Sequence, residues 1–180
     1  MIFWALGSAA IALLAFVAIT FNELIAARNA VRKAWSDIDV QLQRRYDLVP
    51  QLVAVVKGYA EHERNILTTT TELRARAQAS ATIFERGGLE SKLAAQVAHV
   101  LALQERYPDL KASGNFLELQ RELVEVEDRV QTARGAYNEA VFSYNTQIQN
   151  FPEFLLARAF GFRAEEFFQA QERAPVQVNG

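Results

Sequence analysis

From Ile2 to Phe21 the chain carries no charged residue. At about 1.5 Å per residue, a helix of that length spans roughly 30 Å, the thickness of a bilayer's hydrocarbon core. A secretory signal would need a positive leading region, a short apolar core and a small-residue cleavage site. Here no Lys or Arg precedes the run, and Ala15 to Ala18 makes a poor cleavage pattern. The run is also about twice the length of a signal core. Residues 1–21 are therefore expected to be a retained transmembrane anchor. Arg28, Arg32, Lys33, Arg44 and Arg45 follow it closely, whereas only the α-amino group precedes it. The positive-inside bias then predicts a single-pass protein with its N-terminus outside and its C-terminal domain in the cytoplasm. The absence of cysteine fits a reducing compartment.

After the anchor, about 160 residues remain, enough for one domain with its own core. The formal net charge is −2, with Arg and Glu interspersed. Phosphate binding needs clustered positive charge, so nucleic acid is not an expected partner. Gly and Pro are scarce and sit at punctuation points, which predicts an all-α protein. The first helix is expected to run from the membrane to about Tyr46. Leu24, Val31, Trp35, Ile38 and Leu42 form a heptad seam that also passes through Arg28 and Arg45. Pro50 lacks an N–H and disfavours helix at Val49, so it predicts a boundary, with Asp47 as N-cap and Pro50 in the first turn of a second helix. The second stripe holds Leu52, Val56, Tyr59, Ile66, Leu73, Ala77 and Phe84, with Glu63 upon it, and is expected to end at Gly87-Gly88. Its Thr68–Thr71 run is unusual, because β-branched residues lose side-chain freedom in a helix.

A third, short helix is expected from about Glu90 to Glu105, with Leu93, Val97, Val100 and Leu101 inward, followed by a turn at Tyr107-Pro108-Asp109. The fourth is the clearest: Phe116, Leu119, Leu123, Val126, Val130, Ala133, Tyr137, Ala140 and Tyr144 keep an a/d repeat, with Asn115 as cap and Asn150-Phe151-Pro152 as stop. An aromatic segment follows, and residues 169–180 are expected to be a flexible tail. Four such stripes are simplest to bury in an up-and-down four-helix bundle over residues 22–168, with its first helix continuing into the bilayer.

Several strings resemble the LemA family: Ala34-Trp35-Ser36-Asp37-Ile38-Asp39-Val40-Gln41-Leu42, Arg44-Arg45-Tyr46-Asp47-Leu48-Val49-Pro50, Val56-Lys57-Gly58-Tyr59-Ala60-Glu61-His62-Glu63 and Tyr107-Pro108-Asp109-Leu110-Lys111-Ala112. Tyr137-Asn138, Tyr144-Asn145, Phe151-Pro152 and Gly161-Phe162 continue the likeness in order, over about residues 22–168. The resemblance implies a bacterial membrane protein with an N-terminal anchor and a helical bundle. It does not imply an enzyme, and it hints at membrane organisation.

The residues give catalysis little to work with. A bundle di-iron site needs Glu-x-x-His pairs, but Tyr59 precedes His62 by three and Gln96 precedes His99 by three. His62-Glu63 begins like a zinc protease motif, yet Ile66 stands where the second histidine belongs. No serine sits in a nucleophile elbow and no phosphate-cradling glycine loop exists. Asp37 and Asp39 project about 200° apart on one helix and cannot share a proton. No catalytic, cofactor or metal residue is therefore assigned.

The candidate interaction residues are polar and aromatic. Asp37, Asp39, Arg44, Arg45, Asp47, Lys57 and Glu63 crowd the region after the first seam. Arg45 and Glu63 occupy nominal core positions, which predicts an ion network fixing helix register, or else a contact between protomers. Asp37 and Asp39 suit pairing within the chain and between chains equally. Asn138 and Asn145 each follow a seam tyrosine and are expected to bond a neighbouring helix. Phe154, Phe160 and Phe162 lie in the C-terminal aromatic segment, which either caps the bundle, fits the next protomer, or touches headgroups with Arg158 and Arg163. The expected function is a non-catalytic, membrane-anchored scaffold that assembles with itself and curves or organises the bilayer. The alternative is an adaptor for another membrane protein, such as a sensor kinase or protease.

Overall fold

The computed structural model describes residues 2–168, and the expected tail at 169–180 lies outside them. Every regular element among the described residues is helical. They are α1 (Ile2–Lys57), a 3-10 turn (Glu61–Glu63), α2 (Arg64–Ala79), α3 (Ile83–Ala102), a second 3-10 turn (Leu103–Glu105), α4 (Pro108–Lys111), α5 (Gly114–Gln147) and α6 (Glu153–Ala159).

The first helix does not stop at Pro50. It runs through to Lys57, and Asp47 is an interior residue rather than a cap. Two facts explain this. The seam keeps its phase past the proline, since Leu42, Arg45, Val49, Leu52 and Val56 are all buried at alternating three and four steps. The proline's missing N–H would have served the Tyr46 carbonyl four residues back. Arg74 of α2 supplies that donor instead, with Nε 2.9 Å from the Tyr46 oxygen. We expect Arg74→Ala to cost about 1–2 kcal/mol, because it orphans a buried carbonyl. In a Pro50→Ala background, where an N–H returns, the same substitution should cost less. A double-mutant cycle by thermal melting measures the difference, and strict additivity would refute the rescue.

Gly87-Gly88 is likewise no terminus. Both glycines are buried inside α3, which starts earlier than expected and packs on α2. The start is set by Thr82, whose side chain accepts from the Glu85 N–H at 3.2 Å. That Thr-x-x-Glu pattern is a capping-box sequence. Phe84, expected on the stripe of the second helix, is exposed in the first turn of α3, and Tyr59 is exposed in the turn after α1. The Thr68–Thr71 run does stay helical. Thr70 and Thr71 donate their hydroxyls to the carbonyls of Ile66 and Leu67 at 2.7 and 3.0 Å.

The fourth stripe reads largely as its sequence does. Phe116, Leu119, Leu123, Val126, Val130, Tyr137 and Tyr144 of α5 are buried. The helix begins at Gly114, and the Phe116 N–H lies 3.5 Å from the Ser113 hydroxyl, so Asn115 is not the cap.

The described residues form two compact units. One comprises 2–37 and 135–166, and the other 38–134 and 167–168. In the first unit the apolar run stays uncovered: Phe3, Trp4, Leu6, Ile11, Leu13 and Leu14 are exposed, and seam burial begins only at Thr20 and Leu24. Thus α1 contains one helix long and apolar enough to cross a membrane.

Candidate functional site

The second unit is organised around a buried charge cluster. Arg45 sits on the α1 seam with only 3% of its side chain exposed. Its Nη1 donates to Glu90 Oε2 of α3 at 2.8 Å, and its Nη2 donates to Glu127 Oε2 of α5. The Tyr46 hydroxyl donates to the other Glu90 oxygen, so both oxygens of this fully buried carboxylate are used. Burial, and then the Glu90 charge, push the Tyr46 phenol far above the ordinary tyrosine range. Arg134 lies two turns beyond Glu127 on α5, with its guanidinium 4.6 Å from the Phe168 ring centroid. Its Nε and Nη2 have no hydrogen-bond partner among the described residues. Burial first, then the Arg45 charge, lower its pKa. Arg45, Glu90 and Glu127 thus join α1, α3 and α5 through paired opposite charges.

Arg45 and Glu63 do not meet. Arg45 is buried in an ion network as its seam position predicts, but its partners are Glu90 and Glu127. Glu63 instead faces Arg106 Nη2 at 2.9 Å and the Tyr107 hydroxyl at 3.4 Å. The cause is the boundary at Pro50: continuing α1 to Lys57 moves Glu63 into a 3-10 turn and off any seam. Asp39 pairs within the chain, accepting from Arg86 Nη1 at 2.8 Å. Asp37 is exposed and accepts from Lys33 one turn back at 3.0 Å. Arg44 is exposed, and Asp47 accepts from Gln43 Nε2 at 2.9 Å. Sequence reasoning missed Glu90, Glu127, Arg134 and Arg74. Only Glu90 carried a usable signal, being three residues before Leu93 on the inward face of its helix.

The other unit places the aromatic segment against the end of the apolar run. The Phe21 ring lies 5.0 Å from the Phe160 ring and 5.9 Å from the Phe162 ring, both edge-on. Gly161 makes this possible. It has φ +73°, a left-handed conformation that favours glycine. The Phe162 N–H reaches back to the Ala157 carbonyl at 2.9 Å, which closes α6 as a Schellman turn and sets the two rings on either side of the glycine. Phe154 lies by Phe151, 6.3 Å between centroids, rather than in this trio.

The chain then runs back along α5. Asn145 grips the backbone of Glu165 twice, accepting its N–H and donating to its carbonyl, both at 2.9 Å. The Tyr137 hydroxyl donates to the Glu166 carbonyl at 2.8 Å. Its pKa is pushed up to about 12 by burial, then by the charges of Glu165 and Glu166. Tyr137 also packs edge-on against Trp35, 5.5 Å between centroids. Asn145 therefore bonds the returning segment, not a neighbouring long helix as expected.

Comparison with known proteins places the chain in a family. The model of the LemA family matches residues 34–179. The chain belongs to the LemA family. Its relatives include magnetosome protein MamQ 2 of Paramagnetospirillum magneticum, 25% identical over an alignment of 195 positions that covers 93% of this chain and 71% of that one. The magnetosome protein MamQ of Magnetospirillum gryphiswaldense is 23% identical, covering 96% and 74%. Protein LemA of Metamycoplasma hominis is 28% identical over 160 residues, covering 88% and 73%. LemA-family membership and the uncovered apolar run of α1 together mark a membrane-associated protein.

Proposed function

We propose that this LemA-family protein is a non-catalytic scaffold that assembles with itself on the inner membrane and curves or organises the bilayer. Residues 1–21 are its anchor, the N-terminus lies outside, and residues 22–168 form a cytoplasmic four-helix bundle. The observation that carries the reading is α1 itself: the apolar run continues into the first core seam within one helix, Ile2–Lys57. Anchoring confines protomers to two dimensions, so contacts too weak in solution become sufficient. The MamQ relatives are named magnetosome proteins, which supports the membrane-organising reading.

Asp37 is the cleaner surface probe of the pair, because Asp39 is held by Arg86. Full-length protein reconstituted at high density should form rings or lattices visible by electron microscopy. The domain cut free at residue 22 should stay a helical monomer or small oligomer. Asp37→Lys should disperse the assemblies and leave helix content unchanged. Anchored protein that stays monomeric and leaves vesicle shape unaltered would refute the scaffold. One stoichiometric co-purifying partner would then favour the adaptor.

A further inference from the structure

We propose that the segment from Phe151 to Arg163 is a second membrane contact, an amphipathic patch lying in the headgroup–acyl boundary beside the point where α1 leaves the bilayer. The inference rests on reading the apolar run as a membrane span. If Ile2 to Phe21 fills the hydrocarbon core, Phe21 stands at its edge. The rings of Phe160 and Phe162 touch Phe21 directly, so they share its depth. The patch is thus continuous with the lipid-facing surface of the run.

Its exposure fits lipid better than water. Phe151 is 78% exposed, Phe160 55%, Leu155 54% and Phe154 37%. Four large apolar side chains within ten residues are costly to leave in water, at about 25 cal/mol per Å² of apolar surface. An interfacial helix pairs such a face with cations for the headgroups. Arg158 and Arg163 are both exposed here. The nearby acids are partly withdrawn: Glu153 has a buried carboxylate oxygen, and Glu165 stands 3.9 Å from Arg28 with its backbone held by Asn145. Glu166 is exposed, beyond the aromatic turn. The Schellman turn at Gly161 sets the backbone that carries Phe160 and Phe162 against Phe21.

The chain has no cysteine, which permits a direct test on the full-length protein. Single variants Leu155→Cys and Phe160→Cys are spin-labelled and placed in phosphatidylcholine–phosphatidylglycerol nanodiscs holding one protomer each. Ile11→Cys serves as the mid-bilayer reference and Asp128→Cys, exposed on α5, as the aqueous one. At positions 155 and 160, collision with oxygen relative to a water-soluble nickel chelate should exceed the Asp128 ratio several-fold and stay below the Ile11 ratio. Ratios equal to that at position 128, with the Ile11 label deep in lipid, would overturn the proposal and leave the anchor standing. An Ile11 label in water would overturn both. If labels at 155 and 160 enter lipid while crowded vesicles show no assemblies, the scaffold fails and the second contact survives.

Discussion

Glu90→Ala should destabilise the domain by about 3–5 kcal/mol, the cost of leaving a buried charge without its partner. For a domain of this size that lowers the melting midpoint by roughly 10 °C, measured by circular dichroism on the full-length protein in detergent. The prediction follows from geometry. Glu90 is fully buried and receives both Arg45 and Tyr46, so its removal strands the phenol and leaves the buried guanidinium with Glu127 as its one carboxylate partner. Arg45→Ala should cost a comparable amount, because it leaves the Glu90 carboxylate facing only the phenol. The triple change Arg45→Met, Tyr46→Phe, Glu90→Leu should recover most of the loss, since apolar side chains of similar volume can replace a buried ion network. Glu127 is 35% exposed on its side chain and can be hydrated when Arg45 is gone, so it need not be changed. Small and additive effects of the single substitutions would mean that water reaches the cluster.

The second large effect is alkaline. The phenols of Tyr46 and Tyr137 both titrate above their unfolded value of about 10. The sign follows from which state releases its proton first. Below pH 10 both tyrosines are neutral in folded and unfolded chains, and their contribution to stability is fully present. Between pH 10 and about 12 the unfolded chain loses the Tyr137 proton while the folded chain keeps it, so stability falls as pH rises. For Tyr137 the loss is on the order of 2–3 kcal/mol by pH 12, and Tyr46 adds to it in the same direction. Tyr137→Phe should flatten part of this decline while lowering stability at neutral pH, because the Glu166 carbonyl loses its donor. Melting midpoints from pH 8 to 12 measure both. A flat profile in the parent protein would show that the phenols reach solvent.

These outcomes also locate what the sequence could carry. Heptad positions from Leu24 to Leu42 and from Phe116 to Tyr144 were readable because burial repeats with the helix period, whatever the partner. Arg45 was readable as a buried ion for the same reason. Its partners were not, because pairing depends on the register between helices, and the register depends on where each helix ends. Pro50 was misread since the rule against interior proline is local, while its rescue by Arg74 comes from another helix. Once that boundary moved, Glu63 was placed on a stripe it does not occupy. Gly87-Gly88 fails in the opposite sense: paired glycine signals a stop, but the Thr82-x-x-Glu85 cap is the stronger local signal. The aromatic turn was legible in composition alone. Its seat on Phe21 needed a positive-φ glycine whose role no periodicity announces.

The grip of Asn145 and Tyr137 on residues 165 and 166 lands entirely on main-chain atoms. It therefore specifies a path and not a spelling. Almost any side chain can stand at position 165 without loosening that hold, except proline, which has no N–H to offer Asn145. The two anchoring side chains enjoy no such freedom. The specificity of the returning segment is written in the helix beneath it, so its own letters are left open to serve whatever the outer face touches.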